Sequence, residues 1–210
     1  MERTPIGVGT EKRIFQSTHN DTHVEGVYHK PLSNEEIKGV YYYNKLLHIL
    51  FPVNTTDIHR AGNTEVSSFI ADHVVLDEQA QEFADLGVEI DTRNEVPDGE
   101  LFERIGEGNE KGYKFMNDER VEQLHNKFAT VGVPLDWNHR NFTLDKNGEV
   151  IFLDMQRPYQ EEFRGERRLN FDLDKLKSAI DKLDGNQRQL ALTCFERIME
   201  LHRQLTEQKV

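Results

Sequence analysis

Residues 135–154 constrain this chain more than any other stretch. Two short apolar runs, 142–144 and 150–153, flank Asp145-Lys146-Asn147-Gly148, whose Asn-Gly pair tolerates the positive φ that a tight hairpin needs. A hairpin folded there sets its two ends side by side. Asp136 and Asn141 precede the entering strand and Asp154 follows the leaving one, so the three oxygen-bearing side chains converge. Such a set suits a hard divalent cation beside a phosphate chain. Asn141 and Asp154 are the candidates for holding Mg2+, and Asp136 is the candidate base or orienting group toward a substrate hydroxyl.

The order Asp136, four residues, Asn141, hairpin, apolar strand, Asp154 resembles the catalytic loop and metal-binding aspartate of the protein-kinase-like superfamily. Aminoglycoside phosphotransferases and related small-molecule kinases are the relatives it most suggests. Pro134 stands where that loop usually carries a histidine, and Met155-Gln156 follow Asp154 in place of Phe-Gly. The resemblance implies an α+β, two-lobed fold. Residues 1–76 would form an N-terminal lobe of five strands and one helix, 77–82 a hinge, and 83–210 a mostly helical C-terminal lobe containing the hairpin. It also implies ATP and Mg2+ as cofactors, a catalytic Asp136, metal ligands Asn141 and Asp154, and phosphoryl transfer to a hydroxyl of a small acceptor. The alternative is a kinase-like binding or interaction module that transfers nothing, in keeping with Pro134, Met155-Gln156 and the lack of a mid-helix glutamate.

Earlier in the chain, residues 4–15 read as two strands around Gly7-Val8-Gly9, and 24–29 as a third strand. Gly7 and Gly9 can let backbone N–H groups approach phosphates. Lys30, at the end of the third strand, takes the position that the resemblance gives to the phosphate-binding lysine. Ser33-Asn34-Glu35-Glu36 is a capping box, and Val40, Tyr43, Leu46, Leu47 and Leu50 then recur at helical spacing up to Pro52. Glu36, or its neighbour Glu35, is the only acid on this helix able to pair with Lys30. Two further strands, 57–61 and 67–76, are joined by Gly62-Asn63, and Asp77 caps the helix that follows. Backbone around 76–78 would meet an adenine.

The polar stretch 87–113, with turn signals at Pro97-Asp98-Gly99 and Gly106-Glu107-Gly108-Asn109, reads as a surface excursion or lid. A helix over 118–130 buries Val121, Leu124, His125 and Phe128. Arg157, Arg164, Arg167 and Arg168 form the one basic concentration; they can clamp a phosphate or, as the favoured reading, pair with Glu161, Glu162 and Glu166. Residues 171–183 and 187–207 close the chain as amphipathic helices.

A net charge of -12, from 38 acidic and 26 basic residues, argues against a nucleic-acid binder, which needs a positive footprint. The single cysteine, Cys194, forms no intramolecular disulfide, so a reducing cytoplasm is the expected setting. The first ten residues lack a leader pattern, and no run of about 18 apolar residues offers a membrane span. His19 and His23 sit four apart in a loop-like segment without the cysteines or His-Glu-x-x-His of a zinc site, so that pair predicts none. The oligomeric state is open.

Overall fold

Residues 12–16 and 23–28 alternate between side chains facing a core and side chains facing outward, the period of two that a sheet with one covered face requires. The computed structural model describes residues 3–9, 11–18, 20–60, 68–93, 98–161 and 167–207. It places β1 (Gly7–Val8), β2 (Lys12–Gln16), β3 (His23–Tyr28), β4 (Ile58–Arg60) and β5 (Ser68–Asp72) in one antiparallel sheet of order β1-β2-β3-β5-β4. Register fixes the inner face: Lys12 lies opposite Tyr28, Ile14 opposite Gly26, Gly26 opposite Phe69, and Val24 opposite Ala71. The turn near the first glycines is displaced from its expected place. Gly7 and Val8 are the strand, and the turn follows them, closed by Gly9 N–H donating to the Lys12 carbonyl at 2.8 Å.

Helix α1 (Asn34–Leu50) starts as its sequence requires. Ser33 Oγ accepts from the Glu36 N–H at 3.2 Å, and the Ser33 N–H donates to Glu36 Oε2 at 2.7 Å. Such a cap is worth about 1 kcal/mol. Because residues three and four apart share a face, α1 serves two cores. Ile37 and Val40 pack with Tyr28, Ile58, Phe69 and Ala71 under the sheet, and Tyr43, Leu46 and Leu47 join the larger core below.

That larger core is closed by α4 (Glu119–Thr130), the hairpin β6 (Phe142–Leu144) and β7 (Val150–Phe152), α5 (Leu173–Asp181) and α6 (Gly185–Glu207). Between the sheet and α4 run α2 (Glu78–Arg93), capped by Asp77 accepting from the Ala80 N–H at 2.7 Å, and α3 (Gly99–Met116), capped by Asp98. The turn expected at residues 106–109 is a correction: it is the interior of α3. Of its two glycines, Gly108 serves packing. A side chain at Gly108 would stand 3.0 Å from the Phe83 ring. A second short hairpin, β8 (Tyr159–Glu161) with β9 (Arg167–Leu169), was not anticipated. Among the described residues the chain is therefore mixed α and β, with a five-stranded antiparallel sheet and six helices. No helix among them is long and apolar enough to cross a membrane.

Candidate active site

The site begins with the hairpin turn. Asp145 Oδ1 accepts from the N–H groups of Asn147 and Glu149 at 2.8 and 2.9 Å, and Gly148 adopts φ +80°, a conformation that costs glycine nothing. The turn sets Phe142 opposite Phe152. Just outside the paired strands, the Leu153 N–H donates to the Asn141 carbonyl at 2.8 Å. That bond brings Asn141 beside the backbone that carries Asp154. Asn141 Nδ2 then donates to Asp136 Oδ2 at 3.0 Å, across a single 3-10 turn, His139–Asn141. Asp136, Asn141 and Asp154 all line one cleft of about 1430 Å3.

The opposite wall is the inner face of the sheet. Lys12 reaches across from β2, and its Nζ lies 2.5 Å from Asp154 Oδ1. Burial works against the charge on Lys12, but the charge of Asp154 and its hydrogen bond, together with Tyr28 and Glu11, outweigh it and hold the ammonium above its ordinary value. The rings of Tyr28 and Phe69 stand 5.9 and 5.8 Å from Lys12 Nζ and keep one side of it apolar. Next to Lys12, Glu11 pairs with Arg157 at 3.1 Å, so two consecutive residues, Glu11 and Lys12, grip both ends of the segment 154–157.

That segment is fixed from below as well. Asn44 of α1 donates to the Gln156 carbonyl at 2.8 Å and accepts from the Gln156 N–H at 3.0 Å, and Gln156 Nε2 donates to the Pro134 carbonyl at 2.8 Å. Gln156 thus ties the metal-candidate aspartate to the loop that carries Asp136. Its Oε1 is buried and has no hydrogen-bond partner among the described residues. His139 is buried within the loop, with Phe83 and Tyr113 rings at 4.9 and 5.3 Å and the backbone of Gly112 against its edge. Burial, helped by the charge of Arg140, lowers its pKa, so the imidazole is neutral at neutral pH.

The sequence-derived site residues divide into two groups. Asp136, Asn141, Asp154, Gly7, Gly9 and Glu36 all line the cleft. Lys30 does not: it sits in an exposed bend beyond β3 and has no ion pair with a described residue. The lysine in the cleft is Lys12, which the sequence reading passed over because β2 offers no motif around it. The sequence paired Lys30 with Glu35 or Glu36, but Glu36 instead takes Arg167 at 2.9 Å while closing the capping box. Although burial raises the Glu36 pKa, hydrogen bonds from Ser33 and the Arg167 charge bring it below its usual range. Neither glycine is demanded by space, since a side chain at Gly7 or Gly9 would meet its nearest neighbour at 3.8 or 3.6 Å.

Two other expectations also land differently. Arg157 and Arg167 reach Glu11 and Glu36, which lie far away in sequence. Arg164, Glu162 and Glu166 lie outside the described residues, as do Gly62 and Asn63. Asp77 does more than cap α2: its N–H donates to Thr143 Oγ1 at 3.3 Å, which anchors the connection after β5 to the β6–β7 hairpin.

No protein-family model matches the chain, and no curated protein matches it. Among solved structures it is similar to choline kinase LicA from Streptococcus pneumoniae, with a TM-score of 0.32 and 13% identity over 97% of this chain and 84% of that one. At that TM-score the likeness fixes neither a fold family nor a residue's role.

Proposed function

We propose that this chain is an ATP- and Mg2+-dependent phosphotransferase of the protein-kinase-like kind, acting on a hydroxyl of a small acceptor. The observation that carries the reading is the convergence in one cleft of Lys12 and Asp154 with the Asp136–Asn141 pair, contributed by elements at opposite ends of the chain. The lobes are residues 1–76 and 83–210, joined through 77–82. Val8, Ile14, Val24, Ala71 and Leu76 give the cleft an apolar wall on the sheet side, suited to a flat base, and Lys12 replaces Lys30 as the phosphate-binding cation.

The donor set fits Mg2+. Asn141 spends its Nδ2 on Asp136, which leaves Oδ1 as an acceptor, and Asp154 uses only Oδ1 on Lys12. Both remaining oxygens are of the hard type that Mg2+ prefers. When bound, the ion would neutralise charge on the phosphates. Asp136 would accept or orient the proton of the acceptor hydroxyl, and its hydrogen bond from Asn141 holds it in place for that. Lys12 would leave Asp154 in part to meet phosphate oxygens.

A second reading, a nucleotide-binding module without transfer, is favoured by one observation: of the two acids on α1, Glu36 is engaged by Arg167 and Ser33, and Glu35 is not among the residues lining the cleft that holds Lys12. Calorimetric titration of ATP with and without Mg2+, followed by phosphate-release and acceptor-panel assays, tests both. Mg2+-dependent binding with turnover supports the transferase, binding without turnover on any acceptor supports the module, and no binding removes both.

A further inference from the structure

Three potential ligands meet on the sheet around Asp72, a residue that also lines the cleft. His23 on β3 and Asp72 on β5 are direct cross-strand partners, so their side chains emerge side by side. His59 joins them from β4: it follows Ile58, which stays in the core, so strand alternation turns it outward, beside a shift in register between Ile58 and Arg60. We infer that His23, His59 and Asp72 form a binding site for a borderline transition-metal dication such as Zn2+ or Co2+, with ligands other than Asp136, Asn141 and Asp154.

The geometry is near what such an ion needs. His59 Nε2 and His23 Nε2 lie 2.6 and 3.7 Å from the same oxygen, Asp72 Oδ1, and one donor atom from each residue falls within 4.8 Å of the others. Zinc bonds of about 2.0–2.2 Å at tetrahedral angles place ligand atoms about 3.3 Å apart, between those two distances. The three residues sit on adjacent hydrogen-bonded strands, so little ordering remains to be done on binding.

Proton placement favours a cation over a simple hydrogen-bonded trio. Thr22 Oγ1 donates to Asn20 Oδ1 at 2.9 Å and so turns lone pairs toward His23 Nδ1, 3.4 Å away. A proton on Nδ1 leaves Nε2 of His23 as a bare lone pair facing a carboxylate. The two imidazoles are packed edge to face with centroids 4.4 Å apart, where two imidazolium charges would repel. A dication accepts from both rings and the carboxylate at once. The Thr22 contact is then the outer hydrogen bond that orients a metal-bound histidine. Two nitrogens and one oxygen select Zn2+, Co2+, Ni2+ or Cu2+ over Mg2+, and a fourth position faces solvent. His19, the nearby histidine in sequence, lies outside the described residues.

The test titrates Co2+ and Zn2+ into the chelator-treated full chain in excess Mg2+, for the wild type and for His23→Gln, His59→Gln, Asp72→Asn, His29→Gln and Asp154→Asn. Expected is one saturable equivalent with the intense visible absorption of four-coordinate Co2+. His23→Gln, His59→Gln and Asp72→Asn should each weaken binding by at least the roughly 10–100-fold that loss of an outer-shell partner costs. His29→Gln and Asp154→Asn should leave it unchanged, which separates this site from other histidines and from the candidate Mg2+ ligands. Far-ultraviolet circular dichroism and metal-free melting show that the variants fold, and these three positions are partly exposed. No saturable binding to the wild type, binding that survives all three ligand substitutions, or loss of binding with Asp154→Asn would overturn the proposal.

Discussion

Lys12 Nζ lies 2.5 Å from Asp154 Oδ1, although 142 residues separate them in the chain. The contact closes the cleft between the sheet and the hairpin and brings a cation to the place where phosphates would be bound. Lys12→Met should therefore weaken ATP binding at least tenfold, about 1.4 kcal/mol, and Lys30→Met should leave it within twofold. Calorimetry on both variants checks this, and equal loss in the two would return Lys30 to the site.

Asn44 holds the segment behind Asp154. Asn44→Ala removes its two bonds to the backbone of Gln156 and one to the Val40 carbonyl, leaving buried Gln156 groups without partners. A loss of about 2–3 kcal/mol is expected, since each unsatisfied buried group costs ~1–3 kcal/mol. Urea unfolding should show a lower midpoint with an unchanged slope. A change under 0.5 kcal/mol would mean the segment is held elsewhere.

Two glycines of α3 should respond with opposite sign. A methyl at Gly112 would stand 2.2 Å from His139 Cδ2, whereas nothing lies within 4 Å of one at Gly106. Gly112→Ala should destabilise by about 1–3 kcal/mol through overpacking. Gly106→Ala should stabilise by up to about 1 kcal/mol through helix propensity alone. Thermal melts of the two variants decide it, and matching shifts would show that His139 yields freely.

His139 links the site to pH. Its folded pKa lies below the unfolded value of about 6.5, so the unfolded chain binds the proton more readily. Stability contributed by neutral His139 is thus present above that value and is lost as pH falls through the window just below it. Denaturation at pH 7 and pH 5 should give a larger drop for the wild type than for His139→Gln. The ring's own titration, followed by NMR, should fall below 6.5; a midpoint above it would contradict the assignment.

Most of the local structure was legible because it is written in short-range chemistry. Ser33 with Glu36, Asp77, and the Asp145–Gly148 turn each carry their own instruction, and α1, α4, α5 and α6 show apolar periodicity. The interior of α3 was not legible, because Gly106 and Gly108 signal a turn unless Phe83 is known to pack there. Asp136, Asn141 and Asp154 were found together because one hairpin couples them. Lys12, Gln156 and His139 were missed: each acquires its role only from partners distant in sequence, or from burial that no local pattern announces. His23, His59 and Asp72 were missed in the same way, since only the pairing of β3 with β5 and of β5 with β4 brings them together.

The most direct measurement compares Asp154→Asn with Asp136→Asn, which remove the same charge from two ends of the hairpin. ATP is titrated calorimetrically into each variant and the wild type, with and without Mg2+, and turnover is measured on the acceptor that the panel identifies. The metal role given to Asp154 predicts that Asp154→Asn loses the Mg2+-dependent part of ATP binding. The base role given to Asp136 predicts that Asp136→Asn keeps binding and loses turnover by a factor of ~10²–10⁴. Equal loss of binding in both variants, or no Mg2+-dependent binding to the wild type, would contradict the assignment of this cleft to phosphoryl transfer.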